Sequence, residues 1–169
     1  RDGGPRPAFF FARTRPMPLI LHYHPLSSHC WKLLIALAEN GTPFEPRVVN
    51  LGDPDARAAY AALWPTAKIP LLVDGDRVVP ETSIQMEYLD RHHPGTSQLL
   101  PGDADAQLDT RLWDRLFDQY VMDPMQRYIA QMLRPPEARD ALALAAHEEA
   151  LGHAYDLIET RRSDTTWAV

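Results

Sequence analysis

The chain carries Pro25-Leu-Ser-Ser-His-Cys-Trp-Lys-Leu-Leu-Ile-Ala-Leu-Ala-Glu-Asn-Gly41, and this stretch decides the fold of the N-terminal half. A loop with two serines leads into an apolar-striped helix predicted over 29–40. Gly41 closes it, because glycine accepts a left-handed backbone. The first amides of a helix lack internal acceptors, and that end is partly positive. We therefore expect a thiolate or carboxylate to be stabilised at the start of this helix.

The composition favours a packed protein that handles small ligands. Apolar residues make up 45% of the 169 residues and charged residues 24%, which favours a globular core over disorder. The net charge of -6 argues against nucleic acid or anionic membranes as partners. No apolar run approaches the roughly 20 residues that a membrane-spanning helix needs. The single cysteine, Cys30, favours a reducing compartment, and we expect a cytoplasmic protein.

The periodicity of apolar residues predicts two domains. Residues 17–93 are expected to form an α/β domain in the order βαβ then ββα, a small mixed sheet covered by helices. Its predicted elements are strands over 19–23 and 44–50, a hairpin over 71–79, and helices over 29–40, 54–63 and 82–92. Residues 94–103 are the predicted linker, since Pro and Gly interrupt the periodicity there.

Residues 104–169 are predicted to be all-helical. One helix is expected to be kinked or interrupted at Pro124, which lacks an amide donor. Another is predicted over about 137–161. Its apolar stripe is expected to contain Leu144, Leu151, Tyr155 and Ile158.

Three motifs in order resemble the cytosolic glutathione S-transferase superfamily. They are Ser27-Ser-His-Cys30 before a helix, Lys68-Ile-Pro70 before a hairpin, and Pro80-Glu-Thr-Ser-Ile84 at the start of the next helix. Glu87-Tyr-Leu89 and Leu99-Leu-Pro101 extend the resemblance, which covers residues 17–169. The first motif is similar to the Ser-Ser-Cys-Ser start of the zeta class, with His29 in place of the middle cysteine. The resemblance implies a thioredoxin-like domain, a helical domain and a homodimer.

The resemblance implies a glutathione transferase, with glutathione as co-substrate and no metal. Ser27 would donate a hydrogen bond to the glutathione sulfur, and Ser28 or Cys30 are the alternatives for this contact. A free thiol is only about 3% ionised at pH 7, and lowering its pKa by ~2 units requires about 2.7 kcal/mol. A hydrogen bond and a helix terminus can supply that. From the residues alone, both serines are equally readable as helix N-caps.

The other motifs are implied to hold the rest of the tripeptide. Ile69-Pro70 would be a cis peptide, whose Ile69 backbone pairs with the ligand, and Lys68 would add a contact to a ligand carboxylate. Glu81 and Thr82 would bind the γ-glutamyl end. Without the resemblance, Pro70 starts a strand and Thr82 caps a helix.

The helical domain is expected to build the acceptor pocket, for a small and apolar electrophile. Asp123 is expected to reach the glutathione amine across the dimer interface. The pocket candidates, which could also be ordinary helix core, are Tyr120, Met122, Met125 and Tyr128. Conjugation, isomerisation, dehalogenation and peroxide reduction all remain open, as does a role in detoxification.

Two other functions remain open on the sequence. One is a non-catalytic binding or regulatory protein on the same scaffold, and the other is a glutathione-dependent thiol-disulfide enzyme that uses Cys30. A zinc site is not favoured, because strand alternation separates the candidate ligands and no second cluster follows. Those candidates are His22, His24, His29 and Cys30.

The two ends of the chain carry separate expectations. Residues 1–16, rich in Arg and Pro, are predicted to be a disordered leader. Members of the superfamily usually continue for several helices beyond the point that corresponds to Val169. We therefore expect the helical domain to be incomplete here and the chain to be a truncated form of a longer protein.

Overall fold

The computed structural model describes residues 18–162, and the predicted leader over 1–16 lies outside the described residues. The fold class predicted from the sequence is confirmed: a mixed sheet with helices precedes a helical region. In chain order the elements are β1 (Ile20–Tyr23), α1 (Ser28–Asn40), β2 (Glu45–Val48), α2 (Pro54–Leu63), β3 (Leu71–Asp74), β4 (Arg77–Val79), α3 (Thr82–His92), α4 (Ala104–Leu116), a π-helical turn (Phe117–Met122), α5 (Asp123–Met132), a 3-10 turn (Pro136–Ala138) and α6 (Ala141–Arg162).

The four strands form one sheet in the order β2-β1-β3-β4. β1 pairs parallel to β2, with Ile20 opposite Glu45, and antiparallel to β3, with Leu21 opposite Leu72. β2 is shorter than the predicted 44–50. It lies at the sheet edge, where Pro46 is tolerated because no further strand needs its missing amide.

Alternation along β3 sends its leucines to opposite faces of the sheet. Leu72 packs in a fully buried cluster with Leu21 of β1, Leu33 of α1 and Leu89 of α3. Its neighbour Leu71 belongs to a second cluster, which packs under α2 and contains Val49, Tyr60 and Ala67. The sheet is therefore covered on both sides, and the loops at its edge are held by two cores.

Both ends of α1 follow the expected capping chemistry. Ser27 is the N-cap, and its hydroxyl oxygen accepts a hydrogen bond from the Cys30 amide at 3.4 Å. Gly41 ends the helix with φ 65°, a left-handed conformation that favours glycine. The sequence prediction for this helix is correct to within one residue at its start.

Pro124 does not break the helix in the way the sequence suggested. The chain instead widens into the π-helical turn just before it, and the Asp123 amide donates to the Asp118 carbonyl five residues earlier. Pro124 then occupies the first turn of α5, where a missing amide costs little. The proline is therefore accommodated by a local change of helix type.

α6 differs from its prediction at the start and in its buried stripe. It begins at Ala141 rather than near residue 137, because the Asp140 carboxylate accepts the amides of Leu142 and Ala143. Tyr155 is 53% exposed, so the prediction that it belongs to the buried stripe was wrong. The residue of α6 that is buried is its neighbour Ala154. None of the described helices is long and apolar enough to cross a membrane.

Candidate functional site

A cleft of about 350 Å³ opens between the sheet domain and the helical domain. It lies at the edge where the loop before β3, the segment after β4 and the start of α1 converge. Its described lining consists of His29, Trp64, Lys68, Ile69, Pro70, Pro80, Glu81, Thr82, Arg115, Asp118, Gln119, Asp123 and Gln126. Five residues predicted to bind glutathione are therefore brought together, from Lys68 through Thr82.

The loop before β3 forms one wall of the cleft. The cis peptide predicted at Ile69-Pro70 is present, and Ala67 just before it has φ 51°. The Tyr60 hydroxyl donates to the Lys68 carbonyl at 2.7 Å. Burial, with a smaller contribution from Cys30, raises the pKa of Tyr60, so the phenol remains a donor. α2 therefore holds the backbone of this loop in place.

The segment after β4 forms the facing wall. Glu81 has φ 65° and makes no side-chain cap to α3, and Thr82 behind it is buried. A non-glycine residue in this backbone region persists only where its surroundings hold it, which is common at binding sites. α3 begins at Thr82 on this wall, and the first amides of a helix lack internal acceptors, so a ligand carboxylate can accept from them.

Gln85 joins these two walls, and sequence reasoning missed it. Its side-chain amide donates to the Pro70 carbonyl at 3.0 Å and to the Val79 carbonyl at 2.9 Å. The side chain is fully buried, and its Oε1 has no hydrogen-bond partner among the described residues. The sequence could have indicated Gln85, because it is a polar residue on the buried stripe of α3, one turn before Leu89.

The two serines lie beside the cleft at the start of α1 rather than in its described lining. The Ser27 oxygen accepts the Cys30 amide, as an N-cap does. The Ser28 hydroxyl donates to the Met122 sulfur at 2.9 Å. α1 contributes His29, the next residue, to the lining.

Cys30 is fully buried on the core side of α1. Burial raises the pKa of its thiol, and hydrogen bonds with the Ser27 side chain and the His24 backbone oppose this only in part. A buried thiol that stays protonated is a poor nucleophile. The thiol-disulfide alternative therefore gains no support from the structure.

The helical side of the cleft is polar. Arg115 comes from α4, Asp118 and Gln119 from the π-helical turn, and Asp123 and Gln126 from α5. Except for Asp123, the sequence analysis did not identify these residues. Asp123 lies on the wall of a cleft within its own chain, where Arg127 binds it at 2.8 Å.

Lys32 anchors this helical wall to α1. Its Nζ lies 2.9 Å from Asp118 Oδ2 and also binds Asp114, which in turn accepts the Ser83 hydroxyl of α3. The second oxygen of Asp118 lies 3.9 Å from His29 Nδ1. One cluster of charges thus connects α1, α3 and α4 next to the cleft.

The four acceptor-pocket candidates have different surroundings. Tyr120 lines a separate depression of about 310 Å³ between the π-helical turn, α5 and α6. Met122 contacts Ser28, and Tyr128 hydrogen-bonds Glu148, which raises the pKa of the tyrosine. Met125 is partly buried in α5. Their role in substrate binding stays a prediction.

Within residues 18–162, no group of three or more His, Cys, Asp or Glu side chains could hold a metal ion. His22 points into the region of Tyr60, where burial and the positive charge of Arg47 lower the pKa of its imidazole.

Comparisons with known proteins agree with this geometry. A family model described as "Glutathione S-transferase, N-terminal domain" matches residues 21–97. Glutathione S-transferase 3 of Zea mays is 30% identical over 151 residues, covering 84% of this chain and 66% of the maize protein. A probable maleylacetoacetate isomerase of Caenorhabditis elegans is 29% identical over 119 residues, which is 70% of this chain and 55% of the worm protein.

A solved structure is also similar to this chain. The glutathione S-transferase of Methylobacterium radiotolerans, crystallised with glutathione sulfonate, superposes with a TM-score of 0.78 at 28% identity, covering 89% of this chain and 70% of that one. The chain spans 55% of the worm relative and 66% of the maize relative, so each relative is considerably longer.

Proposed function

Because the chain belongs to the cytosolic glutathione S-transferase superfamily, we propose that it binds glutathione and presents its sulfur as a thiolate to a small electrophile. The observation that carries this proposal is the convergence of Lys68, Ile69, Pro70, Glu81 and Thr82 in one cleft. A backbone edge, a carboxylate and a helix start at one cleft match the backbone, amine and carboxylate of a peptide ligand.

Each end of glutathione has a proposed partner. The Ile69 amide and carbonyl pair with the cysteinyl backbone of the ligand, beside the cis peptide. Glu81 takes the γ-glutamyl ammonium, while the Thr82 hydroxyl and the first amides of α3 take the γ-glutamyl carboxylate. Lys68 adds a contact to a ligand carboxylate. Gln85 supports these contacts from behind, because it fixes both walls.

We assign the sulfur contact to Ser27 rather than Ser28. A hydroxyl has one hydrogen to donate and two lone pairs. Ser27 uses a lone pair to cap α1, and its other partner is the buried Cys30 thiol, which stays protonated and does not require the Ser27 hydrogen. That hydrogen can therefore turn to a glutathione thiolate, whereas Ser28 already donates its hydrogen to Met122. A hydrogen bond to a charged group contributes about 1.5–3 kcal/mol, enough with the helix terminus to ionise the thiol near neutral pH.

The acceptor is proposed to carry a polar or charged group. The sequence favoured an apolar substrate, but Arg115, Gln119 and Gln126 line the helical side of the cleft. We further propose a cytoplasmic homodimer with a role in detoxification. The exposed leucines Leu108 and Leu112, one turn apart on α4, support an association surface.

The test is a titration of bound glutathione, followed by the ultraviolet absorbance of its thiolate, in the wild type and in Ser27→Gly. Glycine keeps most of the N-cap stability and removes the hydroxyl. We expect the thiol pKa to rise by about 1–2 units in the variant, and Ser27→Thr to restore it. A wild-type thiol that ionises as in buffer, or no binding by calorimetry, would contradict the proposal.

A binding protein without catalysis is the second candidate. It is favoured by the fact that neither Ser27 nor Ser28 is among the described residues that line the cleft. Calorimetric binding of glutathione without any thiolate absorbance would select it over the transferase.

A further inference from the structure

We propose that His24 and Trp31 are positioning residues: their side chains hold the turn between β1 and α1, and this turn sets the direction of the Ser27 hydroxyl. The inference rests on the proposed glutathione transferase function, in which that hydroxyl contacts the glutathione sulfur. Neither residue is among the described residues that line the cleft, so both would act through the backbone rather than by contact with the ligand.

The turn consists of residues 24–27. The Ser27 amide donates to the His24 carbonyl at 3.0 Å, and the Ser27 carbonyl accepts the amides of Cys30 and Trp31 at 3.1 and 3.2 Å as α1 begins. On the inner side of the turn, the buried Cys30 thiol hydrogen-bonds the Ser27 side chain and the His24 backbone. Ser27 is therefore the residue at which the turn meets the helix, and a shift of the turn would reorient its side chain.

The outer corner of the turn has no apolar anchor. Pro25 is exposed, and Leu26 is 89% exposed. Burial of apolar surface therefore does not hold this corner in place, and its conformation depends on hydrogen bonds. Among the described residues, two side chains supply such bonds to the corner, His24 from the end of β1 and Trp31 from α1.

His24 holds Leu26. The Leu26 amide donates to His24 Nδ1 at 3.2 Å, two residues back along the chain. In an Asx-turn, the side-chain oxygen of Asp or Asn accepts the amide at the same spacing, so the imidazole takes the place of an Asx side chain here. The hydrogen bond needs a lone pair on Nδ1, which means that Nδ1 is the ring nitrogen without a proton.

Trp31 holds Pro25 from the other side. Its Nε1 donates to the Pro25 carbonyl at 2.8 Å. Proline has no amide, so the carbonyl is the one backbone group of Pro25 that can form a hydrogen bond. Trp31 is 53% exposed, so the indole N–H connects α1 to the turn more than burial of the ring does.

This arrangement makes thiolate formation depend on two groups that do not touch glutathione. A hydrogen bond weakens steeply as its angle falls below about 120°. Loosening the turn would therefore weaken the contact between Ser27 and the sulfur and raise the thiol pKa of bound glutathione. A residue with only a structural role would change the stability of the fold and leave that thiol pKa unchanged.

The experiment measures the thiol pKa of bound glutathione by thiolate absorbance, in the full chain as wild type, Trp31→Phe, His24→Leu and His24→Asn. Phenylalanine keeps an aromatic ring without the N–H, leucine removes the acceptor, and asparagine restores an acceptor for the Leu26 amide. We expect a rise of about 0.5–1 unit for Trp31→Phe and for His24→Leu, and of less than about 0.2 unit for His24→Asn.

Two controls and one independent measurement accompany the titration. Trp113→Phe and His153→Leu make the same replacements on α4 and α6, away from the turn, and should leave the thiol pKa unchanged. Hydrogen exchange of the Leu26 amide, followed by NMR, should become about 10-fold faster in His24→Leu but not in His24→Asn.

The proposal is overturned if Trp31→Phe or His24→Leu keeps the wild-type thiol pKa, if His24→Asn does not restore it, or if the controls raise it as much. Equal exchange of the Leu26 amide in the wild type and His24→Leu would overturn it as well. In all these cases the wild type still ionises glutathione, so the transferase proposal stands. A wild type without thiolate absorbance would overturn both proposals, and this result is distinct because it needs no variant.

Discussion

The sheet domain and the helical domain bury their apolar side chains to very different extents. Leu21, Leu72 and Leu89 are fully buried around the sheet, whereas Leu133 and Leu142 are 82% and 84% exposed. Over its 22 residues, all described, α6 buries only Ala154. The sheet side of the cleft therefore lies on a buried apolar core, whereas its helical side lies on helices with exposed leucines and with polar contacts to the sheet domain.

Those polar contacts concentrate where the domains meet. Lys32 binds Asp114 and Asp118, and Arg111 of α4 binds Glu87 of α3 at 2.9 Å. The hydrogen bond from Arg111 outweighs burial and lowers the pKa of Glu87. The interface between the domains should therefore be sensitive to salt, while the sheet core should not be.

The largest expected effect is on the free energy of unfolding, and it is measured by replacing one leucine from each domain. Leu72→Ala should lower the free energy of unfolding by about 2–5 kcal/mol, because it opens a cavity in a fully buried cluster. Leu142→Ala removes the same atoms from an exposed site and should change it by less than about 0.5 kcal/mol. Urea unfolding measures both, and similar losses would contradict the comparison.

Two glutamines, one in each domain, allow the same kind of hydrogen bond to be compared, from a side-chain amide to a backbone carbonyl. Gln85→Ala leaves the buried Pro70 and Val79 carbonyls without a donor and should cost about 2–4 kcal/mol. Gln107→Ala removes the donor to the half-buried Pro101 carbonyl and a long contact from Arg111 Nη1 at 3.4 Å, and it should cost about 1 kcal/mol.

The affinity for glutathione provides a second measurement on the Gln85→Ala and Gln107→Ala variants. Gln85→Ala should weaken it, since both walls of the cleft lose their connection, and Gln107→Ala should not. Calorimetry that found equal affinities for the two variants would remove Gln85 from its positioning role.

A smaller effect is expected at the interface between the domains. Lys32→Met leaves Asp114 and Asp118 without their cation and should cost about 1–2 kcal/mol, since the lysine is only 23% exposed. Arg127→Met removes an exposed partner of Asp123 and should cost less than about 0.5 kcal/mol. The Lys32 cost should shrink in 1 M salt, and an unchanged cost would mean that packing dominates.

The smallest effect concerns pH. Burial would raise the pKa of Asp74, but hydrogen bonds with His93 and Tyr88 and the charges of His93 and His92 lower it overall. A carboxyl whose pKa is lowered on folding stabilises the protein above its ordinary pKa and loses that contribution as the pH falls through the folded value.

The variant that tests this is Asp74→Asn. It should flatten the acid side of the stability curve, below about pH 4, by less than about 1 kcal/mol. Asp76→Asn, on the exposed turn of the same hairpin, is the control. Identical acid transitions in the wild type and Asp74→Asn would contradict the pKa assignment.

The sequence predicted the elements whose signals are local. The helices over 54–63 and 82–92 were predicted with their observed bounds, because Asp53 caps the first and the apolar stripe of the second is regular. The start of α6 was missed although Asp140 signalled it. The hairpin and the cis peptide followed from turn chemistry and from the resemblance.

The residues that line the cleft were predicted more fully on its sheet side than on its helical side, where only Asp123 was named. The motifs of the sheet side are contiguous in sequence, so the resemblance to the superfamily identified Lys68-Ile-Pro70 and Glu81-Thr82 from their order and spacing. Gln85 acts through tertiary contacts to two distant carbonyls, which no local pattern encodes. Arg115 and Gln119 reach the cleft from the end of α4 and from the π-helical turn, and the sequence analysis did not predict this change of helix type.

That turn has a consequence for how this half of the molecule can be altered. Each residue of an α-helix advances the next by about 100° around the axis. Deleting one residue within Phe117–Met122 would return the turn to α-helical spacing and swing Asp123 and Gln126 away from the opening, with every side chain on the sheet side intact. The length of the Phe117–Met122 segment should therefore determine which side chains of α5 face the cleft, whatever residues the segment contains.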